Sequence, residues 1–179
     1  MLPRSVIVLS GQPLTGKDVL ASKLRDVFPN LEHIDVDQMR EIIDSNPDGH
    51  ILENEEERTV MVASYALLAR QAIVRVRADA PVVITGTFSR EEFKVGLRLL
   101  FEYLGRVEIP FKVFRLDAPD EIIEQRIEKR RREGSLSPIN TMKRYLISKG
   151  NFKIIDFAPV TNIDTSKEDY FEQVLGELN

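Results

Sequence analysis

The sequence predicts an α/β fold built around a parallel sheet, and three of its features carry that prediction. Short apolar runs alternate with longer segments of helical spacing along the chain of 179 residues. The apolar runs are continuous, which is typical of strands that helices cover on both faces. A glycine-containing turn, from Gly11 to Lys17, joins the first apolar run to the first helical segment.

Five segments are predicted as strands because they are short, apolar and bounded by turn residues; they are residues 5–10, 31–36, 81–85, 109–116 and 159–164. Helices are predicted where apolar residues recur at intervals of three and four, at residues 18–28, 37–44, 55–78, about 89–104, 117–132, 139–149 and 167–178. Ser89 and Glu92 have the spacing of a capping box at the fourth of these helices. The S-N-P-D-G run at 45–49 predicts a turn.

Composition excludes several classes of protein. Apolar residues make up 42% and charged residues 30% of the chain, which are ordinary values for a globular protein. The net charge of −4 gives no overall attraction to nucleic acid or to an anionic membrane. The absence of cysteine excludes a thiol nucleophile and Cys-ligated metals, and two histidines do not suffice for a His-rich centre.

No linker or internal repeat divides the sequence, so we expect one domain over residues 1–179. No run approaches the roughly 18 apolar residues that a membrane span needs. We therefore expect a cytoplasmic protein that does not contact a membrane. The sequence does not indicate an oligomeric state.

The turn after the first strand has the G-x-x-x-x-G-K spacing of a phosphate-binding loop. Glycines allow the backbone to curl around a phosphate, the helix N-terminus adds positive potential, and the lysine reaches the β- and γ-phosphates. An ordinary glycine-rich turn is the alternative. The residues predicted to hold the nucleotide are Gly11, Gln12, Pro13, Leu14, Thr15, Gly16, Lys17, Asp18 and Val19.

Asp18 departs from this motif, which normally continues with Ser or Thr. A carboxylate beside a bound triphosphate repels it unless a cation lies between them. Asp18 therefore either binds Mg²⁺ itself or marks a site that no longer handles magnesium nucleotides in the usual way.

With this loop at the end of its first strand, the chain resembles the small P-loop kinases. The most similar group includes polynucleotide kinases, zeta-toxin-like kinases, gluconate and shikimate kinases, and AAA-type predicted kinases. The resemblance implies a three-layer P-loop NTPase fold with a five-stranded parallel sheet and a helical lid at about residues 126–140. It places an acceptor-side insertion at about residues 44–57, and it implies ATP and Mg²⁺ as cofactors.

The resemblance also assigns roles around the second strand. Asp37 matches an Asp that acts as general base, and Arg40 matches an Arg three residues later that holds acceptor or phosphate. A hydroxyl acceptor must lose a proton as it attacks the γ-phosphate, so this pair favours an alcohol acceptor on a small molecule. Asp37 as the N-cap of the next helix is the alternative interpretation, and Asp35 is a second candidate base.

Two further matches complete the predicted site. Thr85 stands where family members commonly have an Asp that binds Mg²⁺ through water, so Asp18 and Thr85 are predicted as an exchanged pair of magnesium ligands. Exchanging them back in a double variant should then restore activity that either single variant loses. Arg126 and Arg130 lie one helical turn apart in the region of the lid, where arginines stabilise the phosphoryl group in transfer. A solvated basic helix end is the alternative for both.

The predicted function is therefore ATP-dependent phosphorylation of a hydroxyl on a small molecule. Two alternatives stay open. The first is a 5′-hydroxyl polynucleotide kinase, which the net charge disfavours only weakly because one nucleic-acid end needs little contact. The second is a nucleotide-binding regulatory module without phosphoryl transfer, which Asp18 and the missing Asp at position 85 favour. Neither the acceptor nor the choice between ATP and GTP follows from the sequence.

Overall fold

The structure is a computed structural model that describes residues 1–44, 55–134 and 139–178. Its strands form one parallel sheet in the order β2-β3-β1-β4-β5. The strands are β1 Val6–Gly11, β2 Glu32–Asp35, β3 Val82–Gly86, β4 Phe111–Asp117 and β5 Thr161–Asp164. The predicted five-stranded parallel sheet is confirmed, and the strand ends differ from the prediction by at most two residues.

The described residues include seven helices, each of which corresponds to a predicted one. They are α1 Lys17–Val27, α2 Val36–Ile43, α3 Glu55–Arg77, α4 Glu91–Arg106, α5 Asp120–Arg132, α6 Met142–Gly150 and α7 Tyr170–Leu178. With the sheet they make the three-layer arrangement of the P-loop NTPase fold. The predicted turn at 45–49, most of the insertion at 44–57, and residues 135–138 of the predicted lid lie outside the described residues.

Two apolar cores cover the two faces of the sheet. Every residue of β1 and β3 is buried, as their continuous apolar sequences predict. Val6 and Val8 of β1 point to the core shared with α3 and α4, whereas Ile7 and Leu9 point to the core shared with α1 and α7. The alternation of side chains along a strand explains this division. Because the strands are parallel, their carboxyl ends lie at one edge of the sheet, and the loops with the candidate functional side chains project from that edge.

Two helix caps differ from those considered in the prediction. The side chain of Asp35 accepts a hydrogen bond from the backbone N–H of Asp37, so Asp35 is the N-cap of α2 and the interpretation of Asp37 as the cap is wrong. Helix α4 begins after Arg90, so the predicted capping box of Ser89 is also wrong. The Ser89 hydroxyl is instead 3.3 Å from that of Thr87.

Helix α3 is the one described helix that is long and apolar enough, by length and composition alone, to cross a membrane. By this test of length and composition alone, the expectation that no segment is apolar enough to span a membrane is wrong. In the structure α3 contacts α2, α4 and the sheet, and it buries Tyr65, Leu68 and Ala72 in the core. Its apolar composition is that of a helix packed between a sheet and its neighbouring helices.

Candidate active site

The predicted phosphate-binding loop joins β1 to α1 and requires glycine where the sequence has it. Gly11 has φ of 149° and Gly16 has φ of 90°. A Cβ atom at position 11 would lie 2.4 Å from the carbonyl oxygen of Leu116. Leu14 also adopts a left-handed conformation, with φ of 71°. A non-glycine residue persists there only when its surroundings hold it, and such positions concentrate at functional sites.

Lys17 begins α1 and folds back over the loop. Its Nζ donates hydrogen bonds to the carbonyl oxygens of Gly11 at 3.0 Å and Gln12 at 2.8 Å. Burial lowers the pKa of the Lys17 ammonium to about 8, against the opposing effect of Asp18 and other nearby carboxylates. The ammonium thus lies against the loop backbone beside the N-terminus of α1, whose positive potential suits a phosphate.

Polar side chains from distant segments hold the loop in place. The buried Gln12 exchanges hydrogen bonds with Ser148 of α6, whose hydroxyl donates to Gln12 Oε1 at 3.0 Å. The Thr165 hydroxyl, just after β5, lies 2.9 Å from the carbonyl oxygen of Thr15. Arg126 of α5 donates to the Leu14 carbonyl at 2.8 Å and to the Thr165 carbonyl at 3.1 Å. These contacts fix the loop between α5, α6 and the end of β5.

The two predicted lid arginines lie in different surroundings. The guanidinium of Arg126 is engaged with the loop and with Thr165. Arg130 makes no hydrogen bond or ion pair within the described residues, and its charge lowers the pKa of Lys17. Both border a cleft of about 330 Å³ whose other described walls are Leu14, Gly16, Lys17, Asp18, Val19, Lys129, Glu133, Thr165 and Tyr170. Five of the nine residues predicted to hold the nucleotide thus border a cleft large enough for a small molecule, whereas Gly11, Gln12, Pro13 and Thr15 are not among its walls.

Asp37 in the first turn of α2 and Arg40 in its last turn lie together, as their spacing predicts. Arg40 Nη1 is 3.3 Å from Asp37 Oδ1 and 3.8 Å from the sulfur of Met61 on α3. Partial desolvation raises the pKa of the Asp37 carboxyl, with a further contribution from Asp35, although the Arg40 charge opposes the rise. The Asp37 side chain is 64% exposed, so its carboxylate is accessible while α2 is capped by a different residue.

Thr85 is fully buried at the end of β3 and is bonded on two sides. Its hydroxyl donates to Asp35 Oδ2 and lies 2.8 Å from His33 Nε2. Burial lowers the pKa of His33, which keeps the imidazole neutral at neutral pH, while Asp35 and Asp18 oppose this shift. Asp35, the second candidate base, is therefore committed to Thr85 and to the cap of α2.

The donors fit Mg²⁺ better than a metal that needs a complete protein cage. No group of three or more acidic or histidine side chains within residues 1–44, 55–134 and 139–178 is arranged to hold a metal ion. Mg²⁺ retains several waters and is commonly held by one or two carboxylates together with substrate phosphates. Asp18 is exposed in the first turn of α1, beside Lys17, and offers such a carboxylate. Thr85 is completely buried and its hydroxyl donates to Asp35. Its hydroxyl could therefore influence a bound cation only through Asp35.

His33 and Tyr65 contribute to the site and were not predicted from the sequence. His33 received no role, although the alternation along β2 places it on the same face as Asp35. The hydroxyl of Tyr65 accepts the backbone N–H groups of Thr87 and Phe88 at 3.1 and 3.2 Å, and so holds the turn after β3. No local pattern marks that contact, because Tyr65 belongs to α3.

The architecture and this loop define a P-loop domain with the fold of small kinases. The family model described as "AAA domain" matches residues 6–146, so the chain belongs to that family. The resemblance to small P-loop kinases is therefore confirmed for family and fold. No curated protein matches the chain in sequence.

Solved structures support the same assignment of the fold. A sugar kinase from Janibacter sp. HTCC2649 is 22% identical, covers 96% of this chain and 92% of its own, and has a TM-score of 0.69. A tunicamycin resistance protein from Deinococcus radiodurans is 18% identical, with 98% and 95% coverage and a TM-score of 0.63. A gluconokinase from Sinorhizobium meliloti 1021 is 14% identical, with 98% and 89% coverage and a TM-score of 0.59.

Proposed function

We propose that this protein is a kinase that transfers the γ-phosphoryl group of ATP to a hydroxyl of a small molecule, with Mg²⁺, in the cytoplasm. The observation that carries the proposal is the position of Asp37. Its carboxylate is accessible, has a raised pKa, and lies close enough to Lys17 to raise the pKa of that ammonium in turn. An accessible carboxylate near a phosphate-binding lysine is what an alcohol acceptor requires.

The reaction proceeds by in-line displacement. Lys17 and the loop amides hold the phosphates, and Arg40 orients the acceptor beside Asp37. The acceptor oxygen attacks the γ-phosphorus and its proton passes to Asp37. The bond from the γ-phosphorus to the bridging oxygen breaks, ADP leaves, and the phosphate ester remains on the acceptor. The raised pKa of Asp37 makes it a better proton acceptor than an ordinary carboxylate.

In the proposed cation site Asp18 offers its carboxylate directly. Thr85 contributes through its hydrogen bond to Asp35. When bound, Mg²⁺ neutralises charge on the phosphates during transfer. The carboxylate of Asp18 stands at the start of α1, where bound phosphates would otherwise repel it.

The two arginines of α5 take different parts in the proposed reaction. Arg130 faces the cleft without a protein partner in the part of the chain that the structure describes, so its charge is available to the phosphates. Arg126 is bonded to Leu14 and Thr165 and keeps the phosphate-binding loop in shape. Both contribute to catalysis, Arg130 by charge and Arg126 through the loop.

The test is transfer of labelled γ-phosphate from ATP or GTP to a panel of hydroxyl compounds. Sugars and sugar acids come first, because a sugar kinase and a gluconokinase share the fold. An oligonucleotide with a free 5′-hydroxyl is included. We expect transfer to a small molecule, and a loss of at least about 100-fold in Asp37→Asn. Asp26→Asn, an exposed carboxylate near the far end of α1, is the matched control and should transfer normally.

Each other outcome supports a different function. Transfer to the oligonucleotide alone would favour a polynucleotide kinase. Nucleotide binding without transfer to any acceptor would favour a regulatory module. Equal rates for Asp37→Asn and the wild type would remove Asp37 from the mechanism.

A further inference from the structure

The turn between β3 and α4 is held in a strained conformation, and the proposed mechanism has not used it. Phe88 in this turn is buried and has φ of 49°. A bulky residue rarely adopts this left-handed conformation. Strain of this kind persists only where the surroundings hold it, and it concentrates at functional sites. The turn is therefore a candidate for a function beyond joining a strand to a helix.

Tyr65 of α3 supplies the surroundings that hold the turn. The centroid of its ring lies 5.0 Å from that of Phe88 and 4.9 Å from that of Phe93. Its hydroxyl accepts the backbone N–H groups of Thr87 and Phe88, at 3.1 and 3.2 Å. Gly86 leaves room for these rings, because a Cβ atom there would lie 3.0 Å from the ring of Tyr65 and 3.1 Å from that of Phe88. The conformation of the turn is therefore fixed from within the core.

The Tyr65 hydroxyl also sets the direction of the Thr87 proton. The two backbone N–H groups occupy the acceptor positions of the Tyr65 oxygen, so its own proton points to Thr87 Oγ1, at 3.0 Å. Thr87 then accepts from Tyr65 and has its own proton to donate. The Ser89 hydroxyl, 3.3 Å away, is a long partner for that proton. Because Thr87 and Ser89 are partly exposed while Phe88 between them is buried, the turn presents two hydroxyls at the surface.

These hydroxyls lie at the same edge of the sheet as Asp37. Asp35 and Thr85 are register partners on β2 and β3, and Asp37 and Thr87 each follow that pair by two residues. Neighbouring parallel strands lie about 4.8 Å apart. The residues that follow the two strands therefore emerge side by side at the carboxyl edge.

Helix α3 joins Asp37 and Thr87 through a second set of contacts. Arg40 Nη1 lies 3.3 Å from Asp37 Oδ1 and 3.8 Å from the sulfur of Met61. Met61 precedes Tyr65 by one helical turn, so both side chains lie on the same face of α3. The hydroxyl of Tyr65 in turn meets that of Thr87. The candidate base and the outward hydroxyls are thus held by one face of one helix.

We propose that Thr87 and Ser89 bind a second oxygen of the acceptor, a polyhydroxyl compound, while a neighbouring hydroxyl of that compound is phosphorylated beside Asp37. Tyr65 is a positioning residue for Thr87. The inference rests on the proposed function, because it concerns the hydroxyl compound that receives the phosphoryl group. A site that hydrogen-bonds a substrate hydroxyl rejects the analogue that lacks it, since the polar groups of the site are then left unpaired.

The experiment measures transfer of labelled γ-phosphate from ATP and determines kcat, the KM for the acceptor and the KM for ATP separately. The probes are D-glucose, D-ribose and D-gluconate, each beside its monodeoxy analogues, and 1-propanol as an acceptor with one hydroxyl. Thr87→Val removes the hydroxyl and keeps the shape, and Thr87→Ser keeps the hydroxyl. Thr161→Val is the matched control, because Thr161 is also partly buried but begins β5 at the opposite edge of the sheet.

We expect Thr87→Val to raise the KM for the polyhydroxyl probes by about 3-fold to 10-fold, the effect of one lost hydrogen bond. The KM for ATP should not change, Thr87→Ser should restore the wild-type value, and Thr161→Val should match the wild type. The effect should disappear with the deoxy analogue that lacks the bound hydroxyl, because the two changes remove the same bond.

Tyr65→Phe removes the positioning hydroxyl and keeps the ring. We expect it to raise the KM for the same probes and not the KM for ATP. A merely structural role of Tyr65 would lower Tm and the fraction of active enzyme but would leave both KM values unchanged.

Three outcomes would overturn the inference while leaving the proposed function in place. The first is an acceptor KM in Thr87→Val equal to that of the wild type. The second is a loss in Thr87→Val that is the same for a polyhydroxyl probe and for every deoxy analogue of it. The third is transfer to 1-propanol as efficient as transfer to the polyhydroxyl probes. No transfer by the wild type to any small hydroxyl compound would contradict the proposed function and the inference together.

Discussion

Replacing Arg126 by alanine should destabilise the fold, whereas replacing Arg130 should not. Arg126 donates to the Leu14 carbonyl at 2.8 Å, and to the hydroxyl and the carbonyl of Thr165 at 3.1 Å each. Hydrogen bonds from a charged donor contribute about 1.5–3 kcal/mol each when shielded. Because the Arg126 side chain is only half-buried, water can satisfy part of the hydrogen bonding that the variant loses, and each bond contributes less than this. We therefore expect a loss of about 2–3 kcal/mol in the free energy of unfolding.

The assay is thermal and urea unfolding of Arg126→Ala and Arg130→Ala without nucleotide. For a chain of this size the loss corresponds to a decrease of about 5–10 °C in Tm. Arg130 borders the same cleft but has no hydrogen bond or ion pair within the described residues, so Arg130→Ala should stay within about 0.5 kcal/mol of the wild type. Equal stability of the two variants would refute the role given to Arg126.

Three other predictions follow from the site. Gly11→Ala should destabilise the fold by more than about 4 kcal/mol in urea unfolding, because its Cβ would lie 2.4 Å from a backbone oxygen. The matched control is Gly105→Ala, whose Cβ would meet no other atom within 4 Å. This variant should be neutral or stabilising. The pKa of Asp37 is raised in the folded protein, so ionisation of this carboxyl costs folding free energy, and the cost develops as pH rises from the unfolded-state pKa through the raised folded-state pKa. Asp37→Asn should therefore gain stability relative to the wild type over that rise in pH in thermal unfolding; a constant difference would contradict this. Affinity for a non-hydrolysable ATP analogue should fall as pH rises through about 8, where Lys17 loses its proton, and the fall should be absent in Lys17→Met.

The sheet and the phosphate-binding loop were predictable because local sequence decides both. A strand covered on both faces requires a continuous apolar run, and β1 and β3 show such runs. The loop requires glycine at two positions where the backbone adopts positive φ, and Gly11 and Gly16 stand there. The order of the strands was not predicted, because it depends on how the helices cross the sheet, which local sequence does not show.

The cap of α2 was not predictable because two acids compete for it. Asp35 and Asp37 both lie at the start of the helix, and the spacing of apolar residues does not show which one still belongs to the strand. The register of β2 against β3 decides, because it pairs Asp35 with Thr85 and ends the strand there. This leaves Asp37 free of the cap, which is the property that its proposed role as base requires.

The supports of the loop were not predictable because they join distant segments. Arg126 and Leu14 are 112 residues apart, and Thr165 and Thr15 are 150 residues apart. Helical spacing indicated that Arg126 and Arg130 share a face but not which of them is bonded to the loop. That difference depends on where α5 packs against the loop and the end of β5.

Thermal unfolding with ATP, in the presence and absence of Mg²⁺, tests the central claim most directly. A ligand at about 100 times its Kd stabilises a fold by about 2.7 kcal/mol, which is an increase in Tm of roughly 5–10 °C for a chain of this length. The account predicts that increase with Mg²⁺ and a clearly smaller one without it. No increase with either ATP or GTP would contradict the assignment of this cleft to a nucleotide, and an increase that does not depend on Mg²⁺ would contradict the cation site.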